Sequence, residues 1–284
     1  MKLVCFLFMN LILFLTAFNF HFGSPNSSNA TSKIVSEFNY VKPGQAFWIA
    51  VKFKMQNEWH IYWRNSGDSG LPTAVEWTVP DGFLISETNY PYPNILVENS
   101  SATFIYENEV LLLARVTPPS EIKMDEIEIS ANADWLECKQ ACLPGNSETA
   151  ISLKVDHSNN ETADINLEIM NWLNKLPIQN SEWNFDVHLV EEEVYVKGIS
   201  PAWVKDDNYK VIFFPYADDL FNHSKVQEFK INENGFSLKL ELNKFRSEDP
   251  KKLNGILVIS DSWLENENKP SLEISKSIII NKEK

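Results

Sequence analysis

EIEISANADWLECKQACLPGNSETAISLKV, residues 126–155, decides the fold. Its first part, EIEISANADWL (126–136), alternates apolar and polar residues, and ETAISLKV (148–155) is a second strand candidate. Alternation of period two places every second side chain on one face, which suits a strand with one face buried. The same pattern spreads outward on both sides. QAFWIAVKFKM (45–55) alternates around Phe47, Ile49, Val51 and Phe53. AVEWTV (74–79) ends in the turn-forming Pro80-Asp81-Gly82, and EVLLLARV (109–116) ends at Pro118-Pro119. Beyond them FDVHLVEEEVYVKGI (185–199), YKVIFFPY (209–216), FSLKLEL (236–242), LNGILVIS (253–260) and LEISKSIII (272–280) are all strand-like. Short strands split by turn residues about every ten positions are the pattern of all-β sandwiches. One segment breaks the rule. In ADINLEIMNWLNKL (163–176), Ile165, Ile169, Trp172, Leu173 and Leu176 fall at helical spacing, with Asp164 near the start and Pro177 past the end.

Composition narrows the function. The 284 residues are 44% hydrophobic, enough to bury a core, and the length suggests two domains. Lys and Arg number 25 against 39 Asp and Glu, a net charge of −14. That sign repels phosphate backbones and anionic lipid surfaces, so neither nucleic acid nor a charged membrane surface is an expected partner. At the amino terminus Lys2 precedes an apolar run from Leu3 to Phe20. A run of about 18 residues is near the lower limit for a membrane anchor. It is followed by small polar residues without a Lys/Arg cluster, so residues 1–23 are read as a secretory signal peptide. With it goes Cys5, leaving Cys138 and Cys142 as the cysteines of a periplasmic or secreted protein with no later membrane span. Glycine-rich phosphate loops, G-x-S-x-G and H-E-x-x-H are all absent from the sequence.

The chemistry rests on Asp134-Trp135-Leu136-Glu137-Cys138-Lys139-Gln140-Ala141-Cys142-Leu143-Pro144. Three other readings stand beside a redox-active pair: a structural disulfide, two unpaired core thiols, and a thiolate site for Cu(I). Closing so small a loop restrains the unfolded chain by only about 2 kcal/mol, against about 4 for a long one, which argues against a purely structural staple. Unpaired thiols rarely persist in an oxidising compartment. Two thiolates suit Cu(I), whereas zinc asks for four ligands. The redox reading is favoured, and no cofactor is called for.

Several ordered segments carry a resemblance to a known family. EWHIYWRNSGDSGLPTAVEW (58–77) resembles a hallmark of the DsbD amino-terminal domain family, above all its ScsB-like branch. Tyr90-Pro91-Tyr92-Pro93 is similar to its aromatic and proline segment, and Phe104-Ile105-Tyr106-Glu107-Asn108-Glu109-Val110 to its Y-x-x-E-V run. The stretch from Trp135 to Pro144 is similar to its redox-pair segment. The resemblance covers residues 33–156 and extends more weakly over 185–284, where FFP (213–215) and NGILV (254–258) match. Ser66 stands where the family usually has proline, and Asn108 where it usually has glycine.

The resemblance implies an immunoglobulin-like redox β-sandwich over 33–156 and a second such sandwich over 185–284, and the helical spacing over 163–176 reads as an amphipathic helix linking them. It implies thiol:disulfide interchange, with electrons received from a thioredoxin-like or membrane electron-transfer protein and passed to an exported disulfide-containing acceptor. Cys142 would form the mixed disulfide and Cys138 resolve it. Phe104 and Tyr106 would cap the pair, and Tyr62, Trp63 and Trp135 would shield it or dock a partner. Because the sequence ends at Lys284, the donor is expected to be a separate protein. A copper-handling protein and a noncatalytic binding or chaperone module are the competing classes.

Overall fold

Hydrophobic alternation produces strands almost throughout. The computed structural model describes residues 28–158, 164–179, 182–201, 211–259 and 271–280. The expected signal over 1–23 lies outside the described residues. Its first half holds β1 (Ala30–Ser36), β2 (Tyr40–Val41), β3 (Phe47–Met55), β4 (His60–Gly67), β5 (Ala74–Thr78) and β6 (Leu84–Ile85). There follow β7 (Asn94–Glu98), β8 (Ser101–Glu107), β9 (Glu109–Thr117), β10 (Glu126–Cys138), β11 (Cys142–Val155) and a helix, α1 (Leu167–Leu173). The second half holds β12 (Asn184–Val190), β13 (Glu193–Ile199), β14 (Val211–Pro215), β15 (Glu228–Asn232), β16 (Gly235–Glu241), β17 (Lys252–Ile259), β18 (Ser271–Ser277) and β19 (Ile279–Ile280).

These strands build two immunoglobulin-like β-sandwiches. The first packs the sheet β1-β3-β9-β6 against the sheet β2-β11-β10-β4-β8-β7, with β5 also paired to β10. Val51, Phe53, Trp63, Phe104, Leu112 and Trp135 fill the space between them. In the second, the sheets β15-β16-β13-β12-β19 and β14-β17-β18 enclose Phe185, Phe213, Phe236 and Leu257. The run 185–199 is not one strand. It folds back as the hairpin β12–β13, with Val190 opposite Glu193 and Glu191 at φ 53° in the two-residue turn. Glutamate is no habitual turn former, so the sequence carries little trace of this turn.

The helix is shorter than the periodicity predicts. Asn166 is extended and its side chain accepts from the Glu168 N–H, so the helix begins there. Ile169, fully buried, packs on Ala50, Leu111 and Leu113 on the outer face of the four-stranded sheet. Among the described residues no helix is long and apolar enough to cross a membrane.

The two sandwiches share packing. Strand alternation splits β14, so that Phe213 faces its own core while Phe214 packs with the first sandwich. Phe214 lies edge-on to Phe104 at 5.0 Å and to Trp63 at 6.1 Å between ring centroids. The buried Asn65 side chain donates to the Pro215 and Ala217 carbonyls, tying the sandwiches at the same place.

Candidate functional site

Strands β10 and β11 form a long hairpin whose register runs from Glu126 opposite Lys154 to Cys138 opposite Cys142. The two cysteines therefore close its tip directly across from each other, with Cα atoms 4.2 Å apart and their sulfurs bonded. Lys139, Gln140 and Ala141 form the loop, and the Lys139 N–H donates to the Ala141 carbonyl. The two sulfurs differ in access. Cys138 is only 3% exposed and packs with Tyr62 and Ile105, with Leu96 and Leu136 beside it. Cys142 is exposed at the tip. Attack on a disulfide proceeds through a mixed disulfide and needs a reachable sulfur, and of the two cysteines Cys142 is the exposed one.

Alternation sorts the other predicted residues. On β4, Tyr62 points to the Cys138 side, whereas Trp63 is fully buried among Phe104, Phe214 and Tyr216. On β8, Ile105 packs beside Cys138, and Phe104 and Tyr106 turn to the opposite, core face. The Tyr106 hydroxyl donates to the Pro91 carbonyl. The side chain that covers Cys138 from this strand is thus Ile105, because a period of two puts neighbours on opposite faces. Trp135 also turns inward, edge-on to Phe53 at 5.4 Å, and its ring lies against Gly145 across the hairpin. Of the five aromatics, the structure brings only Tyr62 to the pair.

Two features were not legible from the motifs. Glu137, beside Cys138 but facing the core, is 2% exposed and accepts five hydrogen bonds. They come from the Asn29 and Ala30 backbone N–H groups, the Asn29 amide, the Ser28 hydroxyl and the Trp135 indole. Burial pushes its carboxyl up, but the donors outweigh burial and hold it below the ordinary range. The start of β1 is thereby clasped to the base of the redox hairpin. The second feature is the ring support of Tyr62. A Cβ at Gly70, whose φ is +94°, would lie 2.3 Å from that ring, so only glycine lets the 67–70 loop lie on it. Asp68 pins this loop by accepting from the Ala102 N–H.

The family departures have local reasons. Asn108 sits at φ 61° in the β8–β9 turn, a left-handed conformation that asparagine tolerates next after glycine. Ser66 donates its hydroxyl hydrogen to the Gly70 carbonyl. Lys139 at the hairpin tip is paired with Glu58 at 2.6 Å, and that hydrogen bond holds the Glu58 carboxyl below its usual range. Among the described residues, no three His, Cys, Asp or Glu side chains converge as a metal site.

Fold and site together define a β-sandwich that carries a two-cysteine hairpin tip with one buried and one exposed cysteine. Residues 31–154 match the family described as "Thiol:disulfide interchange protein DsbD, N-terminal", and the resemblance seen in the motifs holds over that span. Among solved structures, the N-terminal periplasmic domain of ScsB from Proteus mirabilis is similar over 88% of this chain and 92% of its own. Its TM-score is 0.57 at 14% sequence identity, a likeness of fold spanning both sandwiches. The DsbD N-terminal domain from Neisseria meningitidis in the reduced form is 14% identical over 43% of this chain and 86% of that one, with a TM-score of 0.26. No curated protein matches the sequence.

Proposed function

We propose that the protein is an exported thiol:disulfide interchange protein that relays electrons through Cys138 and Cys142. The observation that carries this reading is the asymmetric pair at the hairpin tip, inside the segment that matches the DsbD amino-terminal family. In the reduced form the Cys142 thiolate attacks one sulfur of an acceptor disulfide and expels the other as a thiolate. Cys138 then attacks the Cys142 sulfur, re-forming the Cys138–Cys142 bond and releasing the acceptor's second sulfur. Two electrons pass to the acceptor, and a thioredoxin-like or membrane electron-transfer donor restores the pair. The sandwich over 33–156 carries the exchange. The second sandwich, over 185–284, braces its core through Phe214 and Asn65. A leader over 1–23 would deliver the protein to the periplasm or beyond.

Cys138→Ser should accumulate mixed disulfides with exported acceptors, because Cys142 remains open to attack and nothing resolves the product. Cys142→Ser should trap few, since its remaining thiol is buried. Equal trapping by both variants would overturn the assignment of Cys142 as the attacking thiol, and a pair with a potential below about −300 mV that traps nothing in either variant would leave the bond structural.

A further inference from the structure

The cross-strand register places four chemically active residues in one row. Cys142 on β11 lies opposite Cys138 on β10, Cys138 opposite His60 on β4, and His60 opposite Glu107 on β8. Directly opposed residues of antiparallel strands share a face, with Cβ atoms about 4.5–5.5 Å apart. Thiol, imidazole and carboxylate are therefore successive neighbours along the row, as in cysteine and histidine pairs that activate a nucleophile. His60 is 8% exposed, and its Nε2 lies 3.4 Å from the Tyr62 hydroxyl, with the two rings edge to face.

The chemistry of the exchange leaves a gap at this spot. Cys138 is buried among apolar side chains, surroundings that disfavour a thiolate, yet the resolving step needs one. Lys139, the nearest cation in sequence, is engaged by Glu58. We propose that His60 is the general base that takes the proton from Cys138 as its sulfur attacks Cys142, with Glu107 placed to stabilise the resulting imidazolium. The inference rests on the interchange reading and names the group that completes it. The proton passes from Cys138 Sγ to the imidazole, and the Cys138–Cys142 bond forms. The bond from Cys142 to the acceptor sulfur breaks, and the electron pair leaves on that sulfur. The imidazolium then returns its proton to the departing thiolate or to water. The groups facing His60 are Cys138 on β10, Glu107 on β8, Glu98 at the end of β7 and Tyr62 on its own strand. Burial is the largest influence and lowers its pKa, while Glu107 and Glu98 oppose that shift. The ring is thus a neutral base at physiological pH.

Single-turnover reaction of the reduced protein with the aryl disulfide dithiobis-nitrobenzoate separates the two steps. The first thionitrobenzoate leaves when Cys142 attacks, and the second leaves when Cys138 resolves the mixed disulfide. In the unaltered protein the second phase should be flat between about pH 7 and 8 and should fall on the acid side. In His60→Gln it should slow by about a hundredfold at pH 7, the lower end for general-base catalysis. It should also climb about tenfold per pH unit, following the thiolate fraction below a thiol pKa of about 8.5. The first phase, at the exposed Cys142, should stay within about twofold, which a merely structural role for His60 would not allow. An unchanged second phase in His60→Gln would overturn the inference. If that variant does not fold, a second phase in the unaltered protein that climbs tenfold per pH unit across the whole range would overturn it equally. A first phase with no second in the unaltered protein would instead refute the interchange reading itself.

Discussion

Replacing Glu137 by Gln is the sharpest probe of how the redox hairpin is anchored. The carboxylate accepts from Ser28, Ala30 and Trp135 on one oxygen and from two groups of Asn29 on the other. Glutamine keeps the shape but presents an NH2 group to at least two of those donors. A buried polar group left unsatisfied costs about 1–3 kcal/mol, so two give about 2–6 kcal/mol. The less costly orientation sets the NH2 group against the two Asn29 donors, and Asn29 is half-buried and recovers some water, which places the expected loss in the lower half, about 2–4 kcal/mol. The pH dependence gives an independent check. The donors hold the Glu137 carboxyl below its ordinary 4.5, so near that pH the native state binds fewer protons than the unfolded chain. The stabilisation is complete above pH 4.5 and is lost as pH falls through the lower folded-state value. Urea unfolding followed by tryptophan fluorescence, at neutral pH and through the acid range, reads both quantities. Glu137→Gln should be less stable at neutral pH and should lose part of the acid slope. A variant within about 0.5 kcal/mol of the parent, with the same acid slope, would refute the clasp.

Two further outcomes follow from the packing. Gly145→Ala places a Cβ 2.3 Å from the Trp135 ring, so the indole must move or the hairpin must bend. A loss of about 1–3 kcal/mol with a shifted tryptophan emission is expected, and an unchanged spectrum and stability would show that the ring is not confined there. Phe214→Ala removes the ring that seals the first sandwich against Phe104 and Trp63 and should cost about 3–5 kcal/mol. Thermal unfolding should also separate into two transitions, and a single transition at the parent temperature would show that Phe214 is not what couples the sandwiches.

Much of the architecture is a local property of the chain. Alternation over 45–55, 109–116 and 126–136 predicts strands, and β3, β9 and β10 occupy those stretches, because the pleat itself has a period of two. Two cysteines with three residues between them mark a small closed loop, whereas its place at a hairpin tip comes from the β10–β11 register. The short helix was legible in kind from Ile169, Trp172 and Leu173, but its limits were not, since Asn166 and not Asp164 caps it.

What period two cannot say is which face meets what. Tyr62 and Trp63, or Ile105 and Phe104, are equivalent candidates in the sequence. Strand order decides between them, because β10 lies beside β4 and a second sandwich closes over the other face. The FFP run reads as one apolar strand, yet it divides between two cores because both faces of its sheet are covered. The buried Glu137 looks from the sequence like a solvated charge next to a cysteine, and its donors come from the start of β1, far away in the chain. His60 joins Cys138 in the same way, through pairing of strands distant in sequence. Strand periodicity is set by neighbouring residues and can be read from them. Faces, clasps and the cross-strand neighbours of the cysteine pair depend on non-local pairing, which only the folded sheets determine.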